Sequence, residues 1–221
     1  MTPGTGHSAA PIHDAPPPGA IVTAAPSDVF PLDRIYEQHG LAFPTIEIVP
    51  GDCIPEPQRR LLVHQNDMTP TLEEYYGCDI HLEVLRSEVR GDDYVREVVL
   101  RLNGSNLPVE FGANRIDLSL YHGELRRLVL EEHVPLGHLL KEFAIPHTSR
   151  PRAYLRVQPD PWMQQAFGLE HPTVLYGRRN TLRDPQGRPL SQIVEILPPP
   201  QAQGSKRNTS TPTPTPRQLK A

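Results

Sequence analysis

The feature that most constrains this chain is a set of short turns, each lying between segments that alternate apolar and polar residues. Asn103-Gly104 is the strongest of them, because both residues tolerate the positive φ that a tight hairpin requires. Gly91-Asp92-Asp93 is a second. In a third, Asp184-Pro185-Gln186-Gly187, Pro at the second position and Gly at the fourth suit a type I turn leading into a bulge. Links this short join antiparallel neighbours, since a parallel crossover needs about a dozen residues or more. The alternation places strands over about 79–89, 94–102, 107–117, 152–157, 173–182 and 189–197. Between the third and fourth, Leu125, Leu128 and Val129, then Leu136, Leu139, Leu140 and Phe143, recur at helical spacing. Asp160-Pro161 reads as a helix start and Gly168 as its stop. The expected fold class is α+β: a six-stranded antiparallel sheet with a helical insert covering one face.

A chain of 221 residues, 37% of them hydrophobic, is long enough for one domain with a substantial core. Its formal net charge of −4 offers no attraction to nucleic acid or to an anionic membrane surface. No apolar run reaches the length of a membrane span, and the N-terminus lacks the pattern of a signal peptide. Cys53 and Cys78 are too few for a disulfide framework, and no CxxC or His-pair spacing suggests a metal site. A cytoplasmic protein with reduced thiols is expected. Nearly half of the 27 prolines fall within residues 1–31 or 198–221. Those ends carry too little apolar surface to offset the entropy of ordering them. The expected organisation is a disordered Pro/Ala-rich head (1–31), a folded body (32–198) and a disordered Pro/Thr-rich tail (199–221).

Two charged residues lie where the pattern calls for apolar ones. Along the second strand, Tyr94, Arg96, Val98, Leu100 and Leu102 share one face; Val95, Glu97, Val99 and Arg101 share the other, which reads as partly solvated. Arg96 therefore sits on the more apolar face. In the last strand Glu195 is in phase with Ile193 and Leu197. A guanidinium does not give up its proton, so a buried one needs an anion. Either Arg96 and Glu195 pair with each other as a structural ion pair, or they face a ligand in a pocket between sheet and insert. Of Arg178 and Arg179, at most one can point into such a pocket, because neighbours in a strand face opposite ways. His64, His138 and His147 read as surface or loop residues.

Four segments, in order, resemble motifs of the chorismate pyruvate-lyase family: "DMTPTLEEYYG" (67–77), "YVREVVL" (94–100), "VPLGHLL" (134–140) and "YGRRNTL…GRPLSQIVEILP" (176–198). The resemblance covers about residues 58–199. It implies a cofactor-independent lyase that converts chorismate into 4-hydroxybenzoate and pyruvate, in a six-stranded antiparallel sheet whose ligand is enclosed by helical flaps. It further implies that Arg96 binds the ring carboxylate, that Glu195 is the essential carboxylate at the oxygen-bearing edge, and that Met68 and Leu136 are flap residues. Both flap residues also fit a plain core role. Two other readings remain. One is a non-catalytic small-molecule sensor, which would need a DNA-binding domain that residues 1–31 are too short and proline-rich to supply. The other is a cyclase or pericyclase in the same fold, since one arginine and one glutamate do not determine a reaction.

Overall fold

The computed structural model describes residues 21–200. Most of the expected head and nearly all of the expected tail, 1–20 and 201–221, lie outside the described residues. Within them the chain builds one sheet of eight strands, not six, in the order β1-β2-β6-β7-β8-β5-β4-β3. The strands are β1 (Val22–Thr23), β2 (Thr45–Val49), β3 (Ile80–Arg90), β4 (Asp93–Leu102), β5 (Pro108–Asp117), β6 (Thr148–Gln158), β7 (Leu175–Arg183) and β8 (Pro189–Leu197). Every neighbouring pair is antiparallel.

The two strands beyond the expected six are the short edge strands β1 and β2. β2 hydrogen-bonds to β6, so its partner lies more than a hundred residues away in the chain and no local turn announces it. Residues 21–31 also depart from the expected head. They hold β1 and a 3-10 turn (Pro26–Val29) whose Val29 is buried among Leu32, Ile35 and Tyr36.

The sheet is two three-stranded meanders, β3-β4-β5 and β6-β7-β8, joined where β5 pairs with β8. The turns behave as their residues dictate. Gly187 N–H donates to Asp184 C=O at 2.9 Å, Gly187 takes φ +81°, and the ladder slips between Leu182 and Arg183, which is the bulge of a type I hairpin. Six helices decorate the sheet: α1 (Leu32–Gln38), α2 (Gln58–Leu62), α3 (Met68–Tyr76), α4 (Gly123–Glu131), α5 (Leu136–Glu142) and α6 (Pro161–Phe167). In α6 the Asp160 side chain accepts from Met163 N–H, Pro161 occupies the first turn, and Gly168 ends the helix at φ +67°.

Helices cover both faces of the sheet rather than one. On the first face Val95, Val99, Phe111, Ala113, Val194 and Ile196 pack against α1 and α6. Glu97 lies on this face too, and it is fully buried rather than partly solvated. Trp162 Nε1 donates to its carboxylate at 2.8 Å, and Arg86 approaches within 3.8 Å. The second face packs against α2 and α3 at one end and against α4 and α5 at the other. Between those two clusters the apolar packing is interrupted by polar side chains.

Candidate functional site

Strand pairing sets those polar side chains in rows. Arg96 on β4 stands opposite Asn114 on β5, which stands opposite Ile193 on β8, which stands opposite Asn180 on β7. Two residues along, the row is Val98, Gly112, Glu195 and Arg178, and one step further Leu100 faces Glu110. Because side chains alternate, these rows all point to the second face. Met68 and Thr69 from the first turn of α3, and Leu136 and Gly137 from the first turn of α5, roof the rows over a cavity of about 50 Å³. The four residues singled out in the sequence, Arg96, Glu195, Met68 and Leu136, all line this one cavity. The two flap helices touch: a Cβ on Gly137 would lie 3.3 Å from Thr69 Oγ1.

Arg96 is 1% exposed, and its Nε and Nη1 have no hydrogen-bond partner. Among the described residues no carboxylate lies within ion-pair distance of it. The guanidinium sits 5.7 Å from the centroid of the Tyr94 ring, and Tyr94 O–H donates to Glu132 Oε1 at 2.6 Å. Burial pulls the Arg96 pKa below the usual arginine value, with the Tyr94 hydroxyl oxygen pushing the other way. The group stays cationic nonetheless, because arginine does not deprotonate in proteins. Asn114 Oδ1, opposite Arg96, is also without a partner. One end of the cavity is thus a desolvated cation waiting for an anion.

Glu195, 4% exposed, pairs with Arg178 and not with Arg96. Arg178 is fully buried, and it also donates to the carbonyls of Leu62 (3.3 Å), His64 (3.2 Å) and Asn66 (3.0 Å). It therefore ties the loop before α3 to the sheet. Arg179 points to the other face and donates to Asp28 C=O at 2.8 Å, so only Arg178 lies on the face of the sheet that carries the cavity.

Glu110 escapes the sequence reading. Its side chain is 4% exposed, lines the cavity, and leaves Oε2 without a partner. Burial, reinforced by the negative charge of Glu195, pushes its carboxyl well above the usual carboxylate range, against an opposing pull from Arg178. Burial thus disfavours the charged form of Glu110, while Glu195 is paired with Arg178. A signal was present: Glu110, Gly112 and Asn114 alternate with Val109, Phe111 and Ala113, which sets polar residues in phase on a strand that is otherwise apolar.

Of the three histidines read as surface or loop residues, His64 and His147 lie in loops and His138 lies on α5; all three are half-buried. His147 Nδ1 donates to Ile145 C=O (2.8 Å) and Nε2 donates to Asp67 Oδ2 (2.9 Å), so both ring nitrogens carry protons. The Asp67 carboxylate raises the His147 pKa above the ordinary imidazole value. Asp67 precedes α3 and His147 follows α5, so this pair bridges the two flaps; His138 on α5 and Glu73 on α3, 3.0 Å apart, form a second bridge. His64 Nδ1 lies 3.2 Å from Arg178 Nη1 and accepts from it, which, together with burial, lowers the His64 pKa.

Fold and site together define an antiparallel α+β protein with one roofed, anion-seeking cavity at the centre of its sheet. No family model matches the chain, and no curated protein sequence matches it. Solved structures with a similar outline include the possible transcriptional regulator YydK from Bacillus subtilis, 12% identical with a TM-score of 0.44, over 55% of this chain and 59% of that one. The effector domain of PhnF from Mycobacterium smegmatis is 12% identical with a TM-score of 0.45, over 59% of this chain and 87% of that one. PhnF itself is 12% identical with a TM-score of 0.46, over 81% of this chain and 87% of that one. Likeness at this level carries no argument about function. Among the described residues no group of three or more His, Cys, Asp or Glu side chains could hold a metal ion, and no helix is long and apolar enough to cross a membrane.

Proposed function

We propose that this chain binds a small cyclic carboxylate in the roofed cavity, and that its reaction is the elimination of pyruvate from chorismate to leave 4-hydroxybenzoate. The observation that carries the reading is Arg96: a buried guanidinium with two nitrogens unpaired and facing the cavity. A ligand carboxylate held in the forked geometry that suits arginine satisfies one of these nitrogens together with Nη2. The ring then runs along the sheet toward Glu195 and Glu110, with Met68 and Leu136 closing over it to exclude water.

Chorismate carries an enolpyruvyl ether at ring C3 and a hydroxyl at C4. Breaking the C3–O bond with loss of the C4 hydrogen makes the ring aromatic, which supplies most of the driving force. The protein's part is to hold the ring and to stabilise charge as it moves. Arg96 anchors the carboxylate end. The Glu195–Arg178 pair sets a fixed field at the opposite end and positions the oxygen-bearing edge.

One observation favours a second reading, binding without turnover. Glu195 is already engaged by Arg178, which leaves it less free to exchange protons with a substrate. The purified chain incubated with chorismate separates the two. Pyruvate release that disappears in Arg96→Ala supports the lyase. Binding of 4-hydroxybenzoate with no pyruvate release supports a sensor. Neither release nor binding overturns the carboxylate assignment altogether.

A further inference from the structure

We propose that Glu110 is the pocket's hydrogen-bond donor to the ligand oxygen farthest from Arg96. This rests on the carboxylate-binding reading above, and it specifies the other end of that ligand: an oxygen able to accept a hydrogen bond.

The geometry begins on β5. Asn114 stands opposite Arg96, Gly112 opposite Val98, and Glu110 opposite Leu100, and all of these but Gly112 line the cavity. A Cβ on Gly112 would lie 3.0 Å from Val98 Cγ2 and 3.1 Å from Glu110 Oε1. The Glu110 carboxyl therefore lies over the bare backbone of Gly112, on the row one step nearer Arg96 than its own Cα. Successive rows on one face are about 6.7 Å apart, comparable with the span of a six-membered ring carrying groups at opposite ends. A ring whose carboxylate meets Arg96 presents its far oxygen to Glu110.

The charges around Glu110 keep it available for that task. Arg178 is the cation nearest its end of the cavity, and Arg178 is engaged by Glu195 and by the carbonyls of Leu62, His64 and Asn66. Glu195, on the neighbouring strand, is a carboxylate whose charge disfavours a second one beside it. Glu110 Oε2 has no partner among the described residues, although a buried oxygen of this kind is usually paired. A carboxyl whose charged form is disfavoured, with an unpartnered oxygen and a place in the cavity lining, lacks an acceptor for its proton, and the ligand supplies one.

The test uses the full chain in three forms: wild type, Glu110→Gln and Glu110→Leu. The amide of Gln keeps a donor; Leu keeps the volume and removes it. Calorimetry with 4-hydroxybenzoate and with benzoate, which lacks the far oxygen, reads the contact. Wild type and Glu110→Gln are expected to prefer 4-hydroxybenzoate by about tenfold, and Glu110→Leu to bind the two acids equally, as loss of one buried hydrogen bond implies. Difference infrared spectroscopy supplies a readout independent of affinity: a protonated-carboxyl stretch at neutral pH, absent in Glu110→Gln and shifted in wild type by 4-hydroxybenzoate. A preference that persists in Glu110→Leu overturns the proposal, and so does a stretch that is missing in wild type. Failure of the carboxylate reading looks different: the stretch is present, but neither acid binds wild type, and the ligand contact falls with that reading.

Discussion

Arg178 and Glu195 stand opposite each other across the β7–β8 pair, buried and joined to one another, and their pairing leaves Arg96 as the pocket cation with no anion among the described residues. Two buried arginines on the same face of the sheet are thus in opposite conditions. Arg178 is satisfied by a carboxylate and three carbonyls, while Arg96 has unsatisfied nitrogens. The first belongs to the fold and the second is available to a ligand, so they answer opposite tests.

Arg178→Met strands Glu195 as an uncompensated buried carboxylate and releases the loop before α3. It should destabilise the protein by about 3–5 kcal/mol, the cost of breaking a buried pair from one side. Urea unfolding measures this, and a loss below about 1 kcal/mol would show that the pair does not hold the sheet to the loop.

Arg96→Met should do the reverse. The folded protein loses a desolvated cation with no partner, so its melting temperature should hold or rise. Affinity for 4-hydroxybenzoate should fall by about 2–5 kcal/mol, and Arg96→Lys should restore only part of it, since the fork is gone. Calorimetry and thermal melting on the same sample check both halves; unchanged affinity would place the carboxylate elsewhere.

Glu195→Gln tests what remains for Glu195 once Arg178 is paired with it. If its task is to fix the field at the oxygen-bearing edge, pyruvate release should drop by about tenfold, not by the ~100- to 10,000-fold of a lost general acid or base. A loss in the larger range would return proton transfer to Glu195.

The flap bridge between His147 and Asp67 makes stability depend on pH. The folded His147 pKa is raised, chiefly by its hydrogen bond to Asp67 and against the desolvation that lowers it. A raised pKa means the contribution is complete below the unfolded imidazole value, near 6.5, and is lost as pH climbs through the higher folded value. Because the pair is only partly buried, the effect should be modest, under about 1 kcal/mol. Melting temperatures of wild type and His147→Gln should therefore differ most in mild acid and converge above neutrality. A constant difference across that window would assign His147 a purely packing role.

Two glycines on the strands flanking β8 should differ sharply when given a methyl group. At Gly177 the added Cβ would collide with the backbone carbonyl of Glu195, which cannot move without breaking the β7–β8 ladder. At Gly112 it would meet side-chain atoms of Val98 and Glu110, which can yield. Gly112→Ala should therefore cost about 1–3 kcal/mol while weakening ligand binding, and Gly177→Ala should cost more. Equal losses in urea unfolding would contradict this ordering.

Much of the fold was legible in the residues themselves. The six expected strands all occur, close to the expected bounds, because period-two alternation and turn chemistry are local properties that each segment carries. The hairpin at Asp184–Gly187 and the capped helix α6 follow from Pro, Asp and Gly at positions that require them. Periodicity also sufficed to place Arg96 and Glu195 on inward faces, and resemblance to place Met68 and Leu136 over them; all four line one cavity.

Tertiary structure decided who meets whom. The pairing of β5 with β8 joins the two meanders and brings the rows from Arg96 to Arg178 side by side, and no local signal specifies a contact between segments some eighty residues apart. That register gave Glu195 to Arg178, left Arg96 unpaired, and set Glu110 over the gap at Gly112. Tertiary packing also admitted β1 and β2 at the edge and gave three histidines the partners Arg178, Glu73 and Asp67. The division has a physical cause. A strand's own residues determine which way its side chains face, whereas the charge state and partner of a buried side chain depend on neighbours that only folding brings within reach.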